Sequence, residues 1–487
     1  MANRKRSGRR PQAQHAAKSK ASQHDKRERL ATANPKRQAT EAANVPLVGG
    51  IAALCVAMSR LLDQRIAFRL PIVIAGALLA RGRRTAASWF RCAGVKDDWD
   101  RFYELLQSIG KNTVSVMLPI LMFIFKRFDP GEQGYWTLAV DDSPTKRFGP
   151  CVEAANIHHN PTPGPGDGDW LYGHNWVCLA VLVGHPLFGV IALPLLSLLY
   201  VRHVDIAKLK QRQDWEFRTK HELALELVRN VMQTLRALGS KAGFITVFDG
   251  AYATGALIRQ LLAEGAIVVT RLRRDAKLFD LPGYKTGKRG RPRKYGKNRI
   301  NLSKRASHRE GWQTVSYRCR GTMVERRYKT FLATSQIVGC AVRVVLLEHA
   351  KGNWAAYMST DVSMSVEMIL KTVSDRWAIE EHFHDVKEVW GAGEQQVRNV
   401  WSSVGCWNLC GWLYSLVELE CWDDTSEQLV ERSDRPWDNP HRRPSHNDRR
   451  RKIARKMLRE TFLNDLQTST DRKIMLAHFE RLMALAA

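Results

Sequence analysis

Three acidic positions stand apart by where the sequence puts them. Asp141 and Asp142 close an apolar run, Tyr135–Val140, and Asp249 closes another, Phe244–Phe248. Carboxylates at the ends of buried strands are costly to keep charged unless something compensates them. Divalent cations are the usual compensation, and hard oxygen ligands select Mg²⁺ or Mn²⁺ over zinc. The competing reading of each aspartate is a cap on a turn or on the next helix. Two on separate strands of one sheet, in a strongly basic chain, favour the metal. The third acid comes from a helical stretch, 363–392, that contains Arg376, Glu380, Glu381 and Lys387. At about 100° per residue, Glu380 lies about 40° from Arg376, Lys387 about 20° from it, and Glu381 about 140° away. A carboxylate between two cations on one narrow face suits a metal-bound phosphodiester, the acid holding metal and the cations holding phosphate. The alternative is a solvated face laced with i,i+4 ion pairs.

Those residues need a scaffold, and the hydrophobic pattern supplies one. After Tyr135–Val140 comes a Pro/Gly/Asp loop, His158 to Asp169, and then two apolar runs, Trp176–Val183 and Leu187–Tyr200. Leu223, Leu227, Val231, Leu235 and Leu238 form one stripe of an amphipathic helix over 214–239. Phe244–Phe248 is the fourth strand, Thr254 caps a helix that stops near Gly265, and Ala266–Leu272 is the fifth. Three strands, helix, strand, helix, strand calls for an α/β fold, a mixed sheet with helices on its faces. Short strands are expected at Gln313–Cys319, Arg327–Thr334, Ala341–Leu347 and Trp354–Ser359, and helices again at 363–392 and 400–420. Ahead of the sheet, 45–127 reads as helical, with Thr85 and Asp97–Asp98 where N-caps belong. Arg81, Arg83 and Arg84 precede Thr85, which fits either a helix-turn-helix-like DNA reader or a plain bundle.

The order strand-Asp, strand-Asp, helix-Glu resembles the DDE transposases of bacterial insertion sequences, which share the RNase H-like (retroviral integrase) fold. Arg376, Glu380 and Lys387 are similar to the cut-and-paste signature Y-x2-R-x3-E-x6-K, with Val373 standing at the Tyr position. Asp141-Asp142-Ser143 resembles the first acidic motif, D-x-[ST], and Asp249-Gly250-Ala251-Tyr252 the second. The resemblance covers roughly 134–420 and implies an RNase H-like core with a β-rich insertion between the last core strand and the Glu helix. It implies catalysis by Asp141, Asp249 and Glu380 holding two Mg²⁺ (or Mn²⁺) ions, with Asp142 the rival of Asp141. It also implies cleavage at transposon ends and strand transfer into target DNA, with a homodimer in the DNA-bound complex. In that branch the Tyr helps to hold DNA phosphate, a contact that Val373 cannot make. Trp312 and Trp354, in the insertion, are two candidates for stacking on a flipped base. The rival readings are an RNase H-like structure-specific nuclease without strand transfer, and a degenerate transposase that only binds DNA.

Composition agrees with a nucleic-acid partner. Among 487 residues, 76 are Lys or Arg against 48 Asp or Glu, a net charge of +28 that attracts polyanions. Residues 1–44 read as a disordered basic arm, 45–130 as a helical DNA-binding domain, and 131–274 as the first part of the catalytic core. Residues 275–360 read as a basic loop and β-rich insertion, 361–422 as the rest of the core, and 423–487 as a basic tail with a closing helix. The segment Lys288–Lys294 holds Arg289-Gly290-Arg291-Pro292, similar to an AT-hook, and so Arg289, Arg291, Arg293 and Lys294 are expected to contact DNA. Arg271 ends a core strand near the acids and is a further phosphate candidate. The nine cysteines form no C-x-x-C, which argues for core thiols in a reducing compartment. His158, His159, His174, Asp167 and Asp169 lack zinc-ligand spacing and read as structural. Trp176–Val201 is long and apolar, but His185-Pro186 and Pro194 interrupt it, so two strands are expected there and no membrane span. A cytoplasmic, nucleoid-associated bacterial protein is the expectation.

Overall fold

The computed structural model describes residues 47–160, 163, 168–283, 293–320, 322–350, 352–430, 437–439 and 441–468. The N-terminal region is helical: α1 (Gly49–Ser59), α2 (Arg69–Leu79), α3 (Ala86–Cys92), α4 (Trp99–Lys111) and α5 (Thr113–Phe128). Thr85 caps α3, its hydroxyl accepting from the Ser88 N–H at 3.0 Å. Asp98 occupies the N-cap position of α4 but makes no side-chain cap. Its backbone is left-handed (φ 56°), and its carboxylate pairs with Arg69 at 3.0 Å instead.

The sheet follows: β1 (Tyr135–Lys146), β2 (Asn156–His159), β3 (Trp170–His185) and β4 (Gly189–Tyr200). The long apolar run Trp176–Val201 lies in the hairpin β3–β4, which turns at residues 186–188. Among the described residues no single helix is long and apolar enough to cross a membrane. Helix α6 (Lys220–Ala237) opens with a capping box between Thr219 and Glu222. It is followed by β5 (Gly243–Phe248), α7 (Gly255–Ala263) and β6 (Ala266–Leu272). β1 is antiparallel to β3 and parallel to β5, and β5 is parallel to β6. The order β4-β3-β1-β5-β6 is an antiparallel meander joined to two parallel strands reached through helices, the RNase H-like core.

The insertion holds β7 (Leu278–Phe279), β8 (Arg299–Ile300), β9 (Gln313–Cys319), β10 (Thr322–Ser335), β11 (Ala341–Ala350) and β12 (Asn353–Ser359). β12 pairs antiparallel with β6, so these strands continue the core sheet. β10 begins at Thr322, ahead of the expected Arg327. Its first half pairs only with β9 as an exposed hairpin, so no apolar alternation marks it. The stretch 363–392 is two helices, α8 (Val366–Asp375) and α9 (Ala378–Glu388). At Arg376–Trp377 the bonds tighten to the i→i−3 kind, with Ile379 N–H on Arg376 O and Glu380 N–H on Trp377 O, which ends one helix and starts the next.

Helix α10 (Val400–Glu420) is buried at every position except Trp401 and Glu420 near its ends, as a helix apolar all round must be. It crosses α4 in backbone contact: a Cβ on Gly110 would lie 1.9 Å from the Trp401 carbonyl oxygen, and one on Gly405 would lie 2.0 Å from that of Leu106. The N-terminal helices thus share one continuous apolar core with the sheet. On its other side α10 repairs a bulge in β4. The Trp412 indole donates to Leu195 O at 2.6 Å and the Ser415 hydroxyl to Pro194 O at 2.8 Å, while the Asn408 amide accepts from Ser197 N–H and donates to Ser197 O. Asn408→Leu leaves both Ser197 groups buried and unpaired. At about 1–3 kcal/mol for such a group, the denaturation midpoint in urea should fall with no change in slope. The last helix described, α11 (His446–Thr468), packs on α10 and α2.

Candidate active site

The parallel ladder between β1 and β5 ends at Val140 opposite Phe248. The next residue on each strand is an aspartate, so Asp141 and Asp249 are brought side by side at the carboxyl ends of the parallel strands, where α/β sheets open a binding crevice. β1 itself runs on to Lys146 against β3, so Asp141 lies within a strand rather than at its end. Neighbours in a strand face opposite ways, and the two acids of the pair have different partners. Asp142 faces α6, where it accepts from Lys220 Nζ at 2.7 Å and from the buried Tyr252 hydroxyl at 3.2 Å. Asp141 faces α9, and the Arg376 guanidinium donates to it at 2.6 Å.

The same guanidinium donates to Glu380 Oε1 at 2.8 Å, so Arg376 ties together the first strand acid and the helix acid. The expected i,i+4 relation of Arg376 and Glu380 is therefore present, but the cation faces two carboxylates. Glu381 is exposed. Asp249 folds into a turn, with Oδ1 accepting from the Ala251 N–H at 2.9 Å and from the Tyr252 N–H at 3.4 Å. Burial pushes the Asp141 carboxyl up to about 7, Arg376 opposes this, and the neighbouring Asp249 charge adds to it. One guanidinium thus leaves the acidic cluster short of positive charge.

Asp141, Asp249, Glu380 and Lys387 line one cleft of about 1200 Å³. Burial pushes the Lys387 ammonium below its ordinary range, and among the described residues it has no ion-pair partner. A second cavity, of about 630 Å³, meets the first at Asp249 and is lined by Arg271, Arg376, Tyr357 and Val373. Arg271 is exposed on β6 and paired in register with Tyr357. So the structure gathers Asp141, Asp249, Glu380, Arg376, Lys387 and Arg271 about one crevice.

The AT-hook-like segment is placed only in part. Arg289 and Arg291 lie outside the described residues. Arg293 is exposed, and Lys294 reaches the turn between β10 and β11, where a Cβ on Gly339 would lie 2.9 Å from its Nζ. His174 is wholly buried, accepts from Arg147 Nε at 3.3 Å, and is pushed down to about 3 by burial, a structural histidine. Trp312 donates to His308 O at 3.1 Å beneath Lys329, and Trp354 lies under Arg274.

Two residues at the site were not singled out in the sequence. Lys220, which neutralises Asp142, is a first-turn lysine inside the Thr219–Glu222 capping box, a signal for a helix start and not for a site. Arg83, read only as part of a basic junction, lines the acidic cleft. Among the described residues no three acidic, histidine or cysteine side chains already form a metal cage. The donor set nevertheless fits a hard divalent cation in kind. Its oxygens are carboxylate, they are clustered, and a guanidinium now stands in as the cation between two of them.

The fold and this acidic cluster define a chain that belongs to the DDE superfamily endonuclease family, whose model matches residues 58–330, more than half of the sequence. The match includes Asp141 and Asp249 and ends before Glu380. Among solved structures the chain is similar to a piggyBac transposase synaptic complex with hairpin DNA, with 10% identity and a TM-score of 0.39 over 84% of this chain and 75% of that one. The sequence matches no curated protein.

Proposed function

We propose that this protein is a DNA transposase that cleaves transposon ends and joins them to target DNA by a metal-dependent DDE mechanism. The observation that carries the reading is the shared Arg376. It holds Asp141 and Glu380 together beside Asp249, at the open end of a parallel ladder, in a family of endonucleases. Asp141, Asp249 and Glu380 are the residues that would hold Mg²⁺ or Mn²⁺. Once bound, such ions supply an activated water or hydroxyl and stabilise charge on the leaving oxygen.

The chain's own residues do the rest. Arg376 keeps two like-charged carboxylates close before substrate arrives. Lys387, held part-buried in the cleft, is placed to meet a phosphate oxygen. Arg271 does the same in the adjoining cavity. Lys220 and Tyr252 tie up Asp142, which leaves Asp141 as the acid that faces the reaction. Synapsis of two ends calls for a DNA-bound dimer. A nuclease that cuts without joining would use the same cleft, and the assay separates the two.

The test uses the purified chain and a duplex spanning an element end. Cuts at the boundary with Mg²⁺, none with EDTA, and joining of the cut 3′ ends to a target plasmid are the expected results. Cuts without joined products would leave the nuclease. DNA binding with no cleavage under Mg²⁺ or Mn²⁺ would leave a binding-only protein.

A further inference from the structure

Two basic runs that lie far apart in the sequence meet in the structure. Arg450, on α11, donates from Nη2 to the Ala80 carbonyl oxygen at the end of α2. The gap between α11 and the loop after α2 is a cavity of about 430 Å³, lined by Arg81, Arg84, Arg450, Arg451, Arg455 and Asn447 over leucine side chains. None of its described lining residues is acidic. Glu388 and Glu394 approach Arg84 from the other side, toward the acidic cleft.

Buried cations are normally paired. Arg450 is 6% exposed, and among the described residues neither its Nε nor that of Arg84 has a hydrogen-bond partner. Burial and the charges of Arg84, Arg451 and Arg81 push Arg450 down to about 9. The carbonyl end of α2 accounts for one guanidinium there. It does not account for the buried Nε donors of Arg450 and Arg84, which are left beside a hollow whose lining also carries Arg81, an arrangement that an anion with several acceptor oxygens satisfies.

We propose that this arginine cavity binds backbone phosphate of the duplex that flanks the cleavage point, an inference that rests on the DNA-cleaving reading above. The route is set by one loop. Arg83 lines the acidic cleft, while its neighbours Arg81 and Arg84 line the cavity, so a strand leaving the cleft along this loop passes from one to the other. The mouth of the cavity carries Arg81 and Arg455, both exposed, which suits a long polyanion passing by.

The test is the double variant Arg81→Gln, Arg455→Gln. Both side chains are at the surface, so an unchanged melting temperature is the check on folding. Affinity for a long duplex is read by fluorescence anisotropy across a salt series. Two lost phosphate contacts should flatten the slope of log K against log salt by about 1.8, at about 0.9 per contact. Affinity near physiological salt should fall about tenfold. Phosphate-ethylation interference should lose a patch on one side of the cut site.

Unchanged affinity and slope, with cleavage intact, would overturn the cavity assignment and leave the nuclease reading standing. Wild-type protein that neither binds nor cuts duplex DNA would overturn both. Inorganic phosphate is titrated in parallel by thermal shift. Stabilisation by phosphate that the double variant loses, with duplex affinity unchanged, would make this a small-anion site and overturn the DNA assignment.

Discussion

Asp141→Asn should abolish DNA cleavage, while Asp142→Asn, one residue along, should keep most of it. The contrast follows from strand alternation. Asp141 points at Arg376 and, through it, at Glu380, with Asp249 beside it; Asp142 points at Lys220 and Tyr252 on the other face of the sheet. Metal-centred charge stabilisation is worth several kcal/mol. In the proposed mechanism Asp141 would be one of the metal's ligands, and at 1.36 kcal/mol per tenfold in rate its loss should cost about three orders of magnitude or more. An asparagine at 142 still accepts a hydrogen bond from Tyr252 or Lys220. What it loses is a partly exposed ion pair, worth at most about 1 kcal/mol. Single-turnover cleavage at saturating DNA, with binding measured separately, is the decisive readout. Equal loss in both variants would mean that the pair acts as a unit. Loss in Asp142→Asn alone would reverse the assignment.

The choice between Asp141 and Asp142 shows how far sequence reaches. Composition and motif place an acid pair at the end of an apolar run, and period-2 alternation says that only one of them faces a given side. Which side holds the Glu helix depends on how α8 and α9 pack, and that is tertiary. The core strands and the helix order were legible because buried strands and an amphipathic helix leave strong periodicities. β12 pairing with β6 was not, because no local pattern encodes which edge an insertion joins. The break at Arg376–Trp377 was invisible too, since both residues keep right-handed helical backbone angles and only the bond spacing changes. Arg376 was expected to meet phosphate. Its two carboxylate partners come from β1 and from α9, the helix that starts just after it, and only the first of those is remote in sequence. The stretch 423–487 reads as a basic tail with a closing helix, whereas its Arg449 and Arg450 are among the most buried cations in the described structure. Charge density along a chain does not report burial when the counter-charge, Glu418 for Arg449, sits in another helix.

That counter-charge leads to the largest expected loss of stability. Glu418, in the middle of the core, accepts from His446 Nδ1 at 2.6 Å and faces Arg449 Nε at 3.3 Å. The Trp390 indole donates to His446 Nε2 at 2.9 Å, so Nε2 is the bare nitrogen and Nδ1 carries the proton given to Glu418. Tyr414 stacks on the same ring. The network binds α11 to α10 and to Trp390 just beyond α9, and so fastens the helix that carries Glu380. Glu418→Ala strands a buried guanidinium without its anion, and breaking a buried pair in this way costs about 3–5 kcal/mol. Chemical denaturation should show that loss in full. Glu418→Gln should lose less, because the amide still accepts from His446.

The acid response supplies an independent check. Burial alone would raise the Glu418 carboxyl, but the His446 hydrogen bond and the Arg449 charge outweigh it and hold the group below its ordinary range. A carboxylate with a depressed folded pKa adds stability above its unfolded value, about 4.3, and that contribution disappears as pH falls through the folded value. Wild-type stability should therefore drop more steeply with acid in that window than the stability of Glu418→Gln. The two curves should converge once Glu418 is protonated in both states. Parallel curves would mean that the carboxylate contributes no net charge pairing, and that packing of α11 against α10 holds the helix without it.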